Sequence, residues 1–270
     1  MTETALVTGA AGGIGLEFCK LLGQRGYNLV MVDLNEEGLN TAMSTLSQEL
    51  NVDIKTFTQD LSTESAAKSI VDFLNSNSID IDLLFNNAGF GNFGYFAESN
   101  WGKDRAMLQV HMVTTTHLTK LLIPGMIARG KGYILNNASV AAFVPGPLMS
   151  TYHASKSYIL NFTQALANEM KGTGIKATVL CPGMTKTNFA KANGNDDPNI
   201  KFNIMDSDYV AEYAFNALMK GKVVAVPGFW NQLSAFLPRL LSRNTVANMV
   251  GNIQRKNHAK RADEKATKAL

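Results

Sequence analysis

Short apolar runs alternate along this chain with longer stretches in which apolar positions recur every three or four residues. The first pattern marks buried strands and the second amphipathic helices. Runs at 5–7, 28–32, 55–58, 82–85, 132–138, 176–180 and 223–226 predict seven strands. Helical spacing covers 16–25, 36–50, 65–76, 105–129, 152–171 and 208–220, and returns over 229–254. Strand and helix in strict alternation predict a parallel, doubly wound sheet, in which ligands bind beyond the carboxyl ends of the strands. Residues 90–104 read as a loop rich in glycine and aromatics. The polar, turn-rich stretch 188–206 reads as a lid or a disordered segment, and 258–270, rich in lysine and alanine, as a fraying tail. No internal repeat or linker divides the chain.

Composition agrees with one domain around a large core: 270 residues, 46% hydrophobic and 17% charged. The net charge of +3 and pI near 8.7 are mild, and the excess gathers after Arg239, so nucleic acid is not an expected partner. Cys19 and Cys181 sit inside apolar runs and read as buried thiols of a reducing compartment rather than a disulfide. The start, Met1-Thr2-Glu3-Thr4, leads straight into a strand without a basic leader, and no apolar run reaches membrane-spanning length. A cytoplasmic protein is expected, with no metal.

Glycines follow the first predicted strand, in Thr8-Gly9-Ala10-Ala11-Gly12-Gly13-Ile14-Gly15. Strand, glycine turn and helix in that order let backbone approach a pyrophosphate, and the helix start offers free N–H groups. A plain glycine turn is the alternative. Asp33 ends the second strand, where a carboxylate accepts hydrogen bonds from an adenosine ribose and repels a 2′-phosphate. No Arg or Lys occupies 34–37, which favours NAD over NADP. Capping of the next helix by Asp33 or Asn35 is the local alternative.

Tyr152 and Lys156 stand four residues apart on a helix and share a face. A free phenol has a pKa of about 10. A nearby cation lowers it and suits the group to proton transfer. Ser139 ends the fifth strand, where its hydroxyl can meet a substrate oxygen. A chance Tyr–Lys pair on a surface helix competes with this reading. The glycine turn, Asp33, Asp60, Asn87 and Ser139 all fall at carboxyl ends of predicted strands, and that shared place outweighs any single motif.

Taken together, 8–15, Asn86-Asn87-Ala88-Gly89, Ser139 with Tyr152 and Lys156, and Pro182-Gly183 resemble the classical short-chain dehydrogenase/reductase family over nearly the whole chain. The run 122–183 looks most like its DltE-like branch. The resemblance implies an α/β fold, a Rossmann-type doubly wound parallel sheet of seven strands. It forms a single domain, 1–257, with a helical C-terminal extension, 229–257. It implies a carbonyl or alcohol oxidoreductase in which Tyr152 moves the proton, Lys156 lowers the tyrosine pKa and holds the nicotinamide ribose, and Ser139 polarises the carbonyl. Thr8, Gly9, Gly13, Ile14 and Gly15 would hold the pyrophosphate. Asp60 and Leu61 would flank adenine near Asn87, Ala88 and Gly89. Pro182, Gly183, Thr185 and Thr187 would meet the carboxamide or phosphate.

One position departs from the family pattern. His111 stands where an asparagine usually bends the helix and holds a water leading to the lysine. It is expected either in a proton relay, adding pH dependence, or as a packing residue. Phe143, Met149, Phe189, Phe229 and Trp230 are candidate walls of a hydrophobic substrate pocket, with ordinary core the alternative. Residues 233–250 carry apolar residues with Arg239 and Arg243, and Arg255 follows. They suit a domain cover or dimer face, or a membrane surface. A homodimer or homotetramer is expected. A non-catalytic dinucleotide-binding scaffold and a membrane-peripheral lipid or steroid reductase are the competing functions.

Overall fold

Seven parallel strands, β1 (Thr4–Thr8), β2 (Asn28–Asp33), β3 (Ile54–Thr58), β4 (Leu83–Asn86), β5 (Gly132–Asn137), β6 (Ile175–Leu180) and β7 (Val224–Ala225), make one sheet in the order β3-β2-β1-β4-β5-β6-β7. The computed structural model describes residues 2–187 and 204–268. The helices are α1 (Gly13–Gln24), α2 (Glu36–Glu49), α3 (Ala66–Ser76), α4 (Trp101–Leu108), α5 (Thr115–Ala128), α6 (Ser150–Glu169), α7 (Ser207–Met219), α8 (Phe229–Phe236) and α9 (Arg243–Lys268).

Alternate strand residues face opposite layers. Ala5, Val7, Met31 and Phe85 pack with Phe18, Leu46 and Phe215 of α1, α2 and α7. Leu6, Val30, Leu84 and Ile134 pack with Ile70, Leu118 and Leu166 of α3, α5 and α6. Burial on both faces explains why the strands read as near-continuous apolar runs. The chain runs outward from β1 to β3 and returns to β4 on the far side of β1. The crevice at that reversal is where such sheets take ligands.

A buried polar chain ties the helices to the sheet at this point. Asn86 Nδ2 donates to Thr119 Oγ1 at 3.0 Å and to Asn136 Oδ1 at 2.9 Å. Asn136 Nδ2 donates to Thr163 Oγ1 at 2.9 Å. Both hydroxyls in turn donate to helix carbonyls, those of Thr115 and Ile159. Every member has a partner, so the chain fixes α5 and α6 relative to β4 and β5 without an orphaned group.

Three expectations are corrected. The 90–104 stretch is not all loop: α4 begins at Trp101, capped by Asn100 Oδ1, which accepts from Lys103 N. The helix expected over 105–129 is interrupted by a π-turn, Gln109–Thr114. The single helix expected over 229–254 divides into α8, a 3-10 turn at Leu237–Leu240 and α9. Pro238 cannot continue the helix, and Ser242 Oγ accepts from Thr245 N to start the next one. The backbone of α9 is helical through Lys268.

Candidate active site

Ser139 follows β5 in extended backbone, and its Oγ accepts from Ala141 N at 3.1 Å, capping the 3-10 turn Val140–Phe143. Tyr152 lies in the first turn of α6 and hydrogen-bonds Ser139. Its ring packs with Met107 and Met149, with Phe90, Phe93 and Ala141 around them. Lys156, one turn on, places Nζ 5.8 Å from the centre of the Tyr152 ring. That Nζ donates to the Asn137 carbonyl at 2.8 Å. Sequence distance is bridged by the sheet: Ser139, Tyr152 and Lys156 converge at the carboxyl end of β5.

The electrostatics differ from expectation. Burial pushes the Tyr152 phenol up to about 12, while the hydrogen bond with Ser139 works the other way. Burial also draws the Lys156 ammonium down to about 8, with Cys181 opposing. Keeping that ammonium charged at pH 7 costs on the order of 3 kcal/mol of stability. The cost is relieved as pH rises from about 8 toward the unfolded value of 10.5. Cys19 and Cys181 are free and buried, and burial raises both thiols, which leaves them unreactive.

His111 sits in the π-turn and is 1% exposed. Its Nε2 accepts from Phe90 N at 3.2 Å, and its Nδ1 meets Ser155 Oγ at 2.9 Å. Ser155 Oγ already donates to the Tyr152 carbonyl, so Nδ1 carries the proton and the ring is neutral. Burial, then the Lys156 charge, hold its pKa well below 6.5. His111 therefore joins the loop after Gly89 to α6 as a neutral ring. Between pH 6.5 and 8, wild type and His111→Asn are expected to share one shape of pH–rate profile. Below pH 6.5 the unfolded imidazole takes a proton that the folded one refuses, so wild type loses stability as pH falls. Thermal unfolding at pH 5 and 7 should show a smaller acid loss in His111→Asn, and an equal loss would remove this account. His153, also lowered by burial, contributes in the same direction to both proteins.

The glycine turn is braced from β4 and β5. Thr8 Oγ1 accepts from the backbone N of Asn87 and of Ala88, at 3.0 and 3.1 Å. Asn87 Nδ2 donates to the carbonyls of Thr8 and Gly9, at 3.0 and 3.1 Å. Gly9 has φ +67°, a conformation that favours glycine. Asp33 does not cap α2; Asn35 does, through Gly38 N. The Asp33 carboxylate instead accepts from Ala11 N and Asn35 N, both at 3.0 Å. Asp60 Oδ1 accepts from Ser62 N, and the Leu61 carbonyl accepts from Thr114. Thr187 stands over Gly13, with Cγ2 3.0 Å from where a β-carbon would lie. An open cavity of about 420 Å³ lies beside it, lined by Gly13, Glu17, Lys186, Thr187 and Ser207.

These residues fit a bound dinucleotide. No side chain caps α1 at Gly12, so its first N–H groups are available to an anion. Asn137 supplies a second mark that the sequence reading missed. Its Nδ2 donates to Asn87 Oδ1 at 3.0 Å, and its buried Oδ1 has no partner. Asn87 Nδ2 is committed to two carbonyls, so flipping the Asn137 amide would set two oxygens against each other. The orphan is thus a true acceptor, a buried oxygen beside the brace of the glycine turn. Among the described residues no cluster of three or more His, Cys, Asp or Glu is placed to hold a metal ion.

The residues expected to wall a substrate pocket do not stand together. Met149 lies against Tyr152, whereas Phe143 packs in a neighbouring cluster with Ile159 and Val179. Phe229 and Trp230 are 70% and 55% exposed, and Phe189 lies outside the described residues. Phe90 and Phe93, read from sequence as loop residues, take the places beside Tyr152. An aromatic pair directly after Gly89 was the available signal.

A model described as short chain dehydrogenase matches residues 3–198. An uncharacterised oxidoreductase of Staphylococcus epidermidis is 32% identical over 185 residues, 68% of this chain and 79% of that protein. A very-long-chain 3-oxoacyl-CoA reductase of Mus musculus is 30% identical over 193 residues, 70% of this chain and 61% of its own length. Two solved structures are similar throughout. A short-chain dehydrogenase from Sphingobium yanoikuyae in complex with NADPH has a TM-score of 0.78 at 26% identity, covering 88% of this chain and 94% of that one. A 7β-hydroxysteroid dehydrogenase has a TM-score of 0.84 at 26% identity, covering 92% and 96%. None of these names a branch within the family.

Proposed function

The chain belongs to the short chain dehydrogenase family, and from that premise we propose an NAD(H)-linked oxidoreductase that interconverts a carbonyl and a secondary alcohol on a hydrophobic substrate. One observation carries the reading: Ser139, Tyr152 and Lys156 meet at the carboxyl end of β5 beside an apolar wall. The cofactor supplies hydride chemistry when bound. This chain's residues do the rest. Ser139 Oγ orients the substrate oxygen. The Tyr152 hydroxyl gives that oxygen a proton in reduction and takes one in oxidation. The Lys156 ammonium holds positive charge beside the phenol and offers N–H donors to a ribose. The glycine turn, braced by Asn87, and the open start of α1 hold the diphosphate, with Thr187 over it. Pro182, Gly183 and Thr185 complete the nicotinamide side.

The wall of Phe90, Phe93, Ala141 and Met149 suits a ketone of acyl-chain or steroid-like character, in keeping with the named substrates of the reductase and hydroxysteroid dehydrogenase relatives. Homo-oligomer assembly, as dimer or tetramer, belongs to the proposal. Exposed Trp101, Leu121 and Ile127 on α4 and α5 support such a face. NAD is chosen over NADP because the Asp33 side chain stands at the end of β2, with no Lys or Arg in 34–37. The NADPH held by the Sphingobium enzyme makes direct measurement the right test. Calorimetric titration is expected to give tighter NADH than NADPH binding, with the preference reduced at least about tenfold in Asp33→Ala. Tighter NADPH binding by wild type overturns the NAD assignment, and binding of neither overturns the enzyme reading.

A further inference from the structure

The C-terminal part of the chain presents a surface that this chemistry does not use. Between Glu212 and Asp263 the sequence contains no Asp or Glu, yet it contains eight Lys and Arg. The whole chain carries +3, so the remainder is net acidic and the positive charge is concentrated here. The same stretch leaves Phe229, Trp230, Phe236, Leu237, Leu240 and Leu241 exposed. Asn231 and Ala235 take the inward face of α8, so the apolar side chains fall on its outer face. Single exposed apolar residues are ordinary. Six within one short segment, interleaved with Arg239 and Arg243, and continued by Met249, Ile253, Arg255 and Lys256 on α9, form a basic apolar apron.

The apron borders the candidate active site. Gly251 of α9 seats against Pro147, which would lie 3.2 Å from an added β-carbon. The His258 ring lies 5.9 Å from Phe93 and 5.2 Å from Tyr95, and Phe93 belongs to the wall around Tyr152. This segment also lies beyond residue 198, where the family match ends.

We propose that this apron docks on the surface of an anionic lipid bilayer. Its leucines and aromatics enter the boundary between headgroups and acyl chains, and its arginines meet the lipid anions. Charge selects this occupant. A second copy docking through the same face would set Arg239 and Arg243 against their own like. A nucleic acid offers no apolar phase for Leu237, Leu240 and Leu241. No helix among the described residues is long and apolar enough to cross a membrane, so the segment lies on the surface. Docking goes beyond the proposed function and stands without it. Its consequence, that a lipid-dissolved ketone reaches Tyr152 without crossing water, rests on that function.

Flotation of the full chain with vesicles tests it. Vesicles of phosphatidylcholine with about 30% phosphatidylserine should bind at least about tenfold more protein than phosphatidylcholine alone, and added salt should weaken the binding. Leu240→Glu/Leu241→Glu and Arg239→Glu/Arg243→Glu should each lower it at least about tenfold, with thermal unfolding, mass on size exclusion and NADH affinity unchanged. The arginine pair serves as the test if the leucine pair fails to fold. Equal or absent binding to the two vesicle types overturns the proposal. So does a pair of substitutions that changes the mass and leaves lipid binding intact, since the face would then join copies of the chain. Because vesicle binding is read without turnover, an inactive enzyme that still docks would refute the proposed function and leave this inference standing.

Discussion

Tyr152→Phe is expected to lower kcat for carbonyl reduction by about 10³-fold or more while leaving the fold and NADH affinity nearly intact. The substitution removes one oxygen. The ring keeps its packing against Met107 and Met149, and phenylalanine suits that apolar setting, so stability should move by no more than about 1 kcal/mol. What disappears is the hydroxyl proposed to hand a proton to the substrate oxygen, and positioned proton transfer is worth about 10²–10⁴-fold. Turnover above a tenth of wild type would remove Tyr152 from the chemistry.

The pH dependence of the two directions follows from the same group. With its phenol at about 12, Tyr152 stays protonated across the working range and serves reduction directly. Oxidation needs the phenolate, whose fraction grows about tenfold per unit of pH below the pKa. The oxidation rate should therefore climb with pH. Above about 8 the Lys156 ammonium begins to lose its proton, the phenolate loses its cation, and the climb should flatten. An oxidation rate that does not change with pH would contradict the assignment.

Much of this site was legible because its parts depend on local pattern. Alternating runs placed the strands, glycines after the first strand marked the turn, and Tyr152 with Lys156 announced themselves by helical spacing. What stayed hidden depends on distant partners. His111 takes its hydrogen bonds from Phe90 and Ser155, 21 and 44 residues away, and those bonds set its tautomer, while burial and the Lys156 charge lower its pKa. The burial that raises the Tyr152 phenol is hidden for a related reason: the cation beside it is visible in sequence, whereas the packing of Met107 and Met149 appears only in the fold. The π-turn at 109–114 has no compositional mark. Pro238 was a visible stop signal, and the apolar periodicity running through it concealed the break between α8 and α9. Asn136 and Asn137, two polar residues in an otherwise apolar strand, are the kind of exception that points to a network.

Gly15→Ala is expected to lower dinucleotide affinity at least about 100-fold and to destabilise the fold by about 1–3 kcal/mol. The reason is contact, since the position is helical and alanine is a better helix former than glycine. A β-carbon on Gly15 would collide with the Gly9 carbonyl oxygen and lie 2.6 Å from Asn87 Nδ2. Neither can yield alone: the Gly9 carbonyl accepts from Asn87 Nδ2, and Asn87 is held in turn by Asn137. Relief must open the turn, and opening it breaks the brace that shapes the diphosphate site. Gly12 supplies the control within the same motif. It is extended, at φ −174°, and an added β-carbon meets nothing within 4 Å, so Gly12→Ala should leave the unfolding temperature unchanged. Calorimetry with NADH and thermal unfolding of the two variants separate a demand for small size at Gly15 from a general preference for glycine. Equal stability of both variants, with full NADH affinity in Gly15→Ala, would mean that the turn is looser than its hydrogen bonds imply and that the diphosphate is held elsewhere.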